Sequence, residues 1–246
     1  MKMKIGYFYP TLLNLYGDDG NVQILKYRAE KRGIEVEVEK VGLETDLEGK
    51  GFELIFMGGG PDSSQKDVYK DLVTEKGEFL KEFVENGGVG LYICGSYQLF
   101  GKYYKSADGS VLDGLGIFDL YTEHFGKDKP RCIGNVVCES NLNLVSVNLS
   151  NNLVGFENHG GRTYLGEGAT PLAKVSKGHG NNSEDGTEGI LYKNSIGTYL
   201  HGPVLARNPH LADYLIAKSV GLDLPLSPLA DAFAYNAHTA SRKLKQ

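Results

Sequence analysis

Apolar and polar positions fall into two regimes along this chain. From the N-terminus to about Gly95, short apolar runs (KIGYFY, ELIFMGGG and GVGLYICG) are separated by stretches whose apolar residues recur every three to four positions. The stretches from Asn21 to Lys31 and around Glu78 to Glu85 predict amphipathic helices, whereas IEVEVEK alternates with period two and predicts a strand. Apolar runs ending in glycine and separated by helices predict a parallel sheet with crossover helices. The boundary residues agree: Asp18 or Asp19 can cap the first helix, Gly33 can end it, and Gly87-Gly88 can turn the chain into the next strand.

From about Val111 to His201 the runs shorten. NVVCES, LVSVNL and GILYKN, with Gly and Asn between them, predict added β structure. KGHGNNSEDGTEG reads as a mobile loop or a plain surface connector, with no catalytic role. Asn208 and Pro209 predict a helix through about Val220, and Ser227-Pro228 repeats that cap-and-first-turn signature before a last helix. The expected organisation is one α/β domain over residues 1–246, with a C-terminal helical extension from about 205 to 246 and no internal repeat.

Composition narrows the class. A chain of 246 residues, 41% hydrophobic and 23% charged, can bury a sizeable core and carries no mark of disorder. A formal net charge of −5, with no basic cluster longer than Arg242, Lys243 and Lys245, argues against a nucleic-acid surface. The first apolar stretch contains Gly6 and stops at Pro10, too short for a signal segment or a membrane span, so a cytoplasmic protein is expected. Three cysteines exclude a complete disulfide framework, and Cys132 and Cys138 lack the paired spacing of a zinc site; free thiols and no metal are expected.

Three segments carry candidate chemistry. Cys94 stands where GVGLYI stops and the helix-forming SYQLFGKYY begins, a sharp strand-to-helix turn of the nucleophile-elbow kind. A lone Cys at a strand end is by composition alone a small buried residue; the elbow context turns the reading toward a nucleophile. MGGGPDSSQ follows the strand-like ELIF, and its glycines can present N–H groups to a developing negative charge or simply make a turn before Pro61 and Asp62. No GxxxxGK[ST] phosphate loop occurs, so ATP binding by this chain is not expected. In GTYLHGPVL, His201 follows a strand-like run and can supply a base near neutral pH, although nothing else separates it from the other five histidines.

ICGSYQLFG resembles the nucleophile segment of class I glutamine amidotransferases of the cobyric acid synthase type, and GFENHGGRT and GTYLHGP resemble two further signatures of that group, in the same order. Within it, LNLYGDDGN, FMGGGPD, PRCIGN and HGPVLARNP are most similar to the glutaminase subunits of lipid II isoglutaminyl synthases, over nearly the whole chain. The resemblance implies a flavodoxin-like, open and mostly parallel sheet with helices on both faces and a β-rich extension. It also implies that Cys94 attacks the amide of L-glutamine with His201 as base, forming a γ-glutamyl thioester and releasing ammonia. Backbone amides of Gly59 or Gly60, and of Gly95, would form the oxyanion hole, and Gln98 and Arg131 would help hold the substrate.

Two departures from the wider class stand out. Ser96 replaces a glycine of the elbow, and Pro203 occupies the place where many class I enzymes carry a Glu two residues after the histidine. That leaves the third catalytic residue open among Asp19, Glu157 and a carboxylate of a partner subunit. His159 and Arg162 are read as structural or interface residues. The implied partner is a Mur-ligase-like synthetase subunit in a heterodimer, which would bind ATP and Mg and amidate the D-glutamate α-carboxyl of lipid II. Amidation of another acceptor, such as a corrinoid precursor, and a catalytically silent scaffold role are the alternatives.

Overall fold

In the computed structural model, which describes residues 1–146 and 148–244, the chain runs β1 (Lys2–Phe8), α1 (Asp19–Glu30), β2 (Glu35–Val41), β3 (Leu54–Met57), α2 (Asp62–Thr74), α3 (Gly77–Glu85), β4 (Val89–Ile93) and α4 (Gly95–Leu99). Strands dominate the next part: β5 (Tyr103–Lys105), β6 (Val111–Asp113), β7 (Leu120–His124), β8 (Cys132–Ser140), β9 (Asn152–His159), β10 (Gly161–Leu165), β11 (Ala173–Lys177), β12 (Thr187–Glu188), β13 (Ile190–Tyr192) and β14 (Ser195–Thr198). Three helices close the chain: α5 (Val204–Arg207), α6 (Pro209–Val220) and α7 (Ala232–Lys243).

The main sheet has the order β13-β14-β4-β3-β1-β2, parallel except for β13. Its central strands β3 (LIFM) and β4 (VGLYI) are buried at every position, as expected of parallel strands covered on both faces. At the edge, β2 keeps its period-two alternation, and Glu37 and Glu39 form ion pairs with Lys2 and Lys4 of β1. Two further four-stranded sheets, β10-β7-β5-β6 and β12-β11-β8-β9, make the β-rich extension. One apolar core reaches from Met3 to Ile216. Buried Arg28 of α1 ties the C-terminal helices to α1, donating to Asp213 of α6 at 2.8 Å and to Asp231, just before α7, at 2.7 Å. Among the described residues no helix is long and apolar enough to cross a membrane.

Five local readings change. The glycine triplet leads through Pro61 into α2, a helix absent from the sequence reading. The helix expected over SYQLFGKYY stops at Leu99, because Tyr104 and Lys105 pair with Thr122 and Glu123 of β7. LVSVNL is not a strand at its described positions: Asn151 Oδ1 accepts from Leu144 N, and Ser146 Oγ from Asn148 N and Leu149 N, so side chains take the place of a ladder. Val147 of that run, like Lys245 of the basic tail, lies outside the described residues. The last helix begins at Ala232, not at Ser227-Pro228, since Ser227 O accepts from Arg32 and Asp231 from Arg28 before the chain can coil. KGHGNNSEDGTEG is pinned, with Asn181 and Asn182 buried, Asn181 bonded to Gly189 N and Thr187, and Glu157 accepting from His179 N and Gly180 N.

Candidate active site

Four adjacent parallel strands deliver the site. The segments following the C-terminal ends of β1, β3, β4 and β14 carry Asp18, Gly58–Gly60, Cys94 and His201, so the topology alone brings these distant positions to one sheet edge. Cys94 has φ 52° and ψ −103°, a conformation that costs a non-glycine residue about 1–3 kcal/mol. The turn is held by Cys94 N donating to Thr198 O at 2.8 Å and by Gln98 N donating to Cys94 O at 3.0 Å. Ser96, in place of the usual glycine, fits because its hydroxyl lies 2.9 Å from Met57 O and 3.0 Å from Ile93 O in a fully buried position.

His201 is fully buried. Its backbone pairs with Phe156 of β9 in both directions (2.8 and 3.1 Å), and Tyr16 packs edge-on over its ring at 5.0 Å between centroids. Just before it, Thr198 Oγ1 and Tyr199 N donate to buried Glu188, whose carboxyl burial pushes up to about 7. On the sulfur side, His201 Nε2 has no hydrogen-bond partner among the described residues. On the other side, Nδ1 lies 3.3 Å from Asp18 Oδ1, and Asp18 is itself fully buried. Burial pulls the His201 imidazole down, but the Asp18 carboxylate and the Cys94 sulfur outweigh it and raise it to about 10.

The carboxylate beside His201 is therefore Asp18, neither of the two residues proposed from the sequence. Asp19 is the first residue of α1 and accepts from Gln23, while Glu157 is occupied by the amides of His179 and Gly180. Asp18 is the N-cap residue of α1, one of the two expected positions, but its side chain makes no capping bond: Asn14 Oδ1 accepts from Asp19 N at 2.9 Å, and the Asp18 carboxylate faces inward.

Its second oxygen accepts from Gly59 N at 2.8 Å. Of the two alternatives, Gly59 or Gly60, that bond removes Gly59, because its amide is already committed. The glycines permit close approach: a Cβ at Gly58 would stand 2.4 Å from Leu13 O, and one at Gly59 would stand 3.0 Å from both Cys94 Cβ and His201 Cε1. Gly60 lines the substrate cavity, and Gly95 is the first residue of α4, where an amide has no intrahelical acceptor.

Cys94 opens into a cavity of about 360 Å³ whose walls also include Gln98 and Arg131, the two residues the sequence reading assigned to the substrate. Arg131 stands at the exposed rim, its Nε donating to Asn158 Oδ1 (2.9 Å) and its Nη2 to Asn158 O (3.0 Å); neither bond uses Nη1. Gln98 is buried, with Nε2 donating to Tyr199 OH at 3.0 Å and Oε1 accepting from Gln65 at 3.1 Å. The GFENHGGRT segment frames this cavity: Asn158 also donates to Tyr16 OH at 2.6 Å, and His159 stacks on Tyr199 at 3.6 Å. Burial keeps His159 below the usual histidine range. Arg162 donates to Pro130 O, fixing the turn before Arg131. Asp18, Asn158 and Gln65 are cavity or site residues to which the sequence reading gave no role in the site, although each lies in a segment it singled out, LNLYGDDGN, GFENHGGRT and MGGGPDSSQ.

The remaining cysteines are buried free thiols, and burial pushes both up. Among the described residues no group of three or more His, Cys, Asp or Glu could hold a metal ion. A buried sulfur at a strained elbow, an imidazole behind it and a carboxylate behind that form the arrangement needed for acyl transfer through a thioester.

Comparison with known proteins agrees. A CobB/CobQ-like glutamine amidotransferase domain matches residues 4–209. The chain is 44% identical to the glutamine-hydrolyzing subunit GatD of lipid II isoglutaminyl synthase from Staphylococcus aureus, over 89% of this chain and 84% of that one. It is 39% identical to the subunit of the same name from Streptococcus pneumoniae, over 94% and 86%. Among solved structures, a glutamine amidotransferase superposes with a TM-score of 0.58 at 17% identity, covering 88% of this chain and 98% of that chain, a likeness of fold. The chain belongs to the CobB/CobQ-like glutamine amidotransferase family.

Proposed function

We propose that this chain is the glutaminase subunit of a lipid II isoglutaminyl synthase, in which Cys94 and His201 release ammonia from L-glutamine for a synthetase subunit. The observation that carries the chemistry is Cys94 in the wall of a cavity that Arg131 also lines, backed by the buried His201 and Asp18 pair. The Arg131 guanidinium suits the α-carboxylate of glutamine, leaving the side-chain amide to reach the sulfur. Cys94 gives its thiol proton to His201 and attacks the amide carbon, and the amides of Gly60 and Gly95 receive the oxyanion. His201, held protonated by Asp18, delivers its proton to the departing nitrogen, so ammonia leaves and the γ-glutamyl thioester remains. Water, deprotonated by the now neutral His201, then releases glutamate and regenerates the thiol. The two GatD relatives matched over most of their length support lipid II as the acceptor.

In this reading the partner is a Mur-ligase-like subunit forming a heterodimer in the cytoplasm. It binds ATP and Mg and activates the D-glutamate α-carboxyl, which becomes D-isoglutamine. The test supplies the purified pair with lipid II, ATP, Mg and glutamine labelled with ¹⁵N in its side-chain amide. The expected result is ¹⁵N in the product carboxamide, undiluted by unlabelled ammonium in the buffer. Label in free ammonia with none in lipid II would contradict the assignment of acceptor.

A further inference from the structure

Tyr16 touches both functional ends of the site. It lies in the turn between β1 and α1, 43% exposed, with φ 55°, the left-handed region that a non-glycine residue occupies only where its surroundings hold it. Leu15 N donates to Gly59 O at 3.0 Å and Asp18 N to Leu15 O at 3.2 Å, and these bonds brace the turn. The ring lines the Cys94 cavity and stands edge-on to His201 at 5.0 Å and to Phe156 at 6.0 Å. At its far end the hydroxyl accepts from Asn158 Nδ2 at 2.6 Å. The same Asn158 accepts twice from Arg131, at Oδ1 (2.9 Å) and at its backbone O (3.0 Å). Because Arg131 donates to Oδ1, the amide is oriented with Nδ2 toward Tyr16. An unbroken series of contacts thus runs from Arg131 through Asn158 and Tyr16 to His201.

We infer that Tyr16 is a positioning residue that holds the substrate clamp and the base in one frame, its hydroxyl steadying Arg131 through Asn158 and its ring steadying the His201 imidazole. This rests on the glutaminase reading. The α-carboxylate and the amide carbon of glutamine are a fixed chain length apart, so the alignment of the amide on the sulfur depends on where Arg131 stands relative to Cys94 and His201. A guanidinium at an exposed rim keeps its place only if the groups it bonds are themselves held. On the other side, the 3.3 Å contact of His201 Nδ1 with Asp18 is long for a hydrogen bond, which leaves packing by Tyr16 to restrain the ring.

The test follows glutamine hydrolysis by the complex carrying Tyr16→Phe, Tyr16→Ala, Arg131→Lys, or Tyr16→Phe together with Arg131→Lys. Phenylalanine keeps the ring against His201 and removes the acceptor of Asn158, so KM for L-glutamine is expected to rise about 3- to 10-fold with kcat within about 2-fold of wild type. Alanine removes the ring as well, and kcat is expected to fall by at least about 10-fold. Arg131→Lys keeps a positive charge for the α-carboxylate but loses the paired bonds to Asn158; in that background Tyr16→Phe is expected to change kcat/KM by less than about 2-fold. Equal losses from Tyr16→Phe in both backgrounds would show that the hydroxyl does not act through Arg131 and would overturn the inference. So would a kcat for Tyr16→Ala equal to that for Tyr16→Phe. The Tyr16→Phe comparison decides by itself should alanine unseat the turn. A wild-type complex inert toward glutamine would contradict the glutaminase reading itself, and the inference with it.

Discussion

Replacing Cys94 with alanine is expected to lower glutamine hydrolysis by at least about 10⁴-fold while leaving ammonium-driven amidation by the complex near its wild-type rate. Among the described residues the sulfur is the only thiol lining the cavity, since the other two thiols are buried elsewhere, Cys132 against Ser183 and Cys138 near Leu153 O. Alanine keeps the elbow bonds of the backbone to Thr198 and Gln98 and removes little volume, so fold and docking should survive. Parallel assays with glutamine and with ammonium chloride separate the two activities. Loss of both would mean that Cys94 supports assembly instead of chemistry.

The second large effect belongs to Asp18→Asn, expected to cost about 10²- to 10⁴-fold in glutamine turnover. Asparagine fits the space but removes the charge that, together with Cys94, lifts His201 to about 10. A histidine whose folded value lies above its ordinary 6.5 favours folding while protonated; that stabilisation is complete below about pH 6.5 and is lost as pH rises through about 10. Between those limits wild type should exceed Asp18→Asn in stability, by a margin that narrows toward pH 10. The alkaline limb of the turnover profile should also move to lower pH in the variant. Denaturant titrations and kcat profiles between pH 6 and 10 read both effects. An unchanged alkaline limb would show that Asp18 does not set the state of His201.

The parallel sheet was legible from the sequence because its strands are short apolar runs punctuated by glycine, and a period of that kind survives without tertiary information. Cys94 was legible for the same reason, since a strand-to-helix elbow is local. Asp18 was not. It adjoins Asp19, and both look like helix caps; only the fold of residues 9–18 over Gly58 and Gly59 turns one carboxylate toward His201 and leaves the other on the helix. The glycine triplet was read for its N–H groups, but at Gly59 the amide orients Asp18 and the missing side chain makes room for Cys94 and His201. The pinning of residues 177–189 did not show either: a sequence of Gly, Asn and Asp reads as a free loop until Glu157 is placed beneath its amides.

The central claim is that Cys94 forms a covalent γ-glutamyl link, and intact-mass spectrometry with an electrophilic glutamine analogue tests it most directly, on wild type and Cys94→Ala, with and without the synthetase subunit. The account predicts one adduct per chain, mapped to the Cys94 peptide and absent from Cys94→Ala. An adduct on Cys132 or Cys138, or none in the presence of the partner, would contradict it.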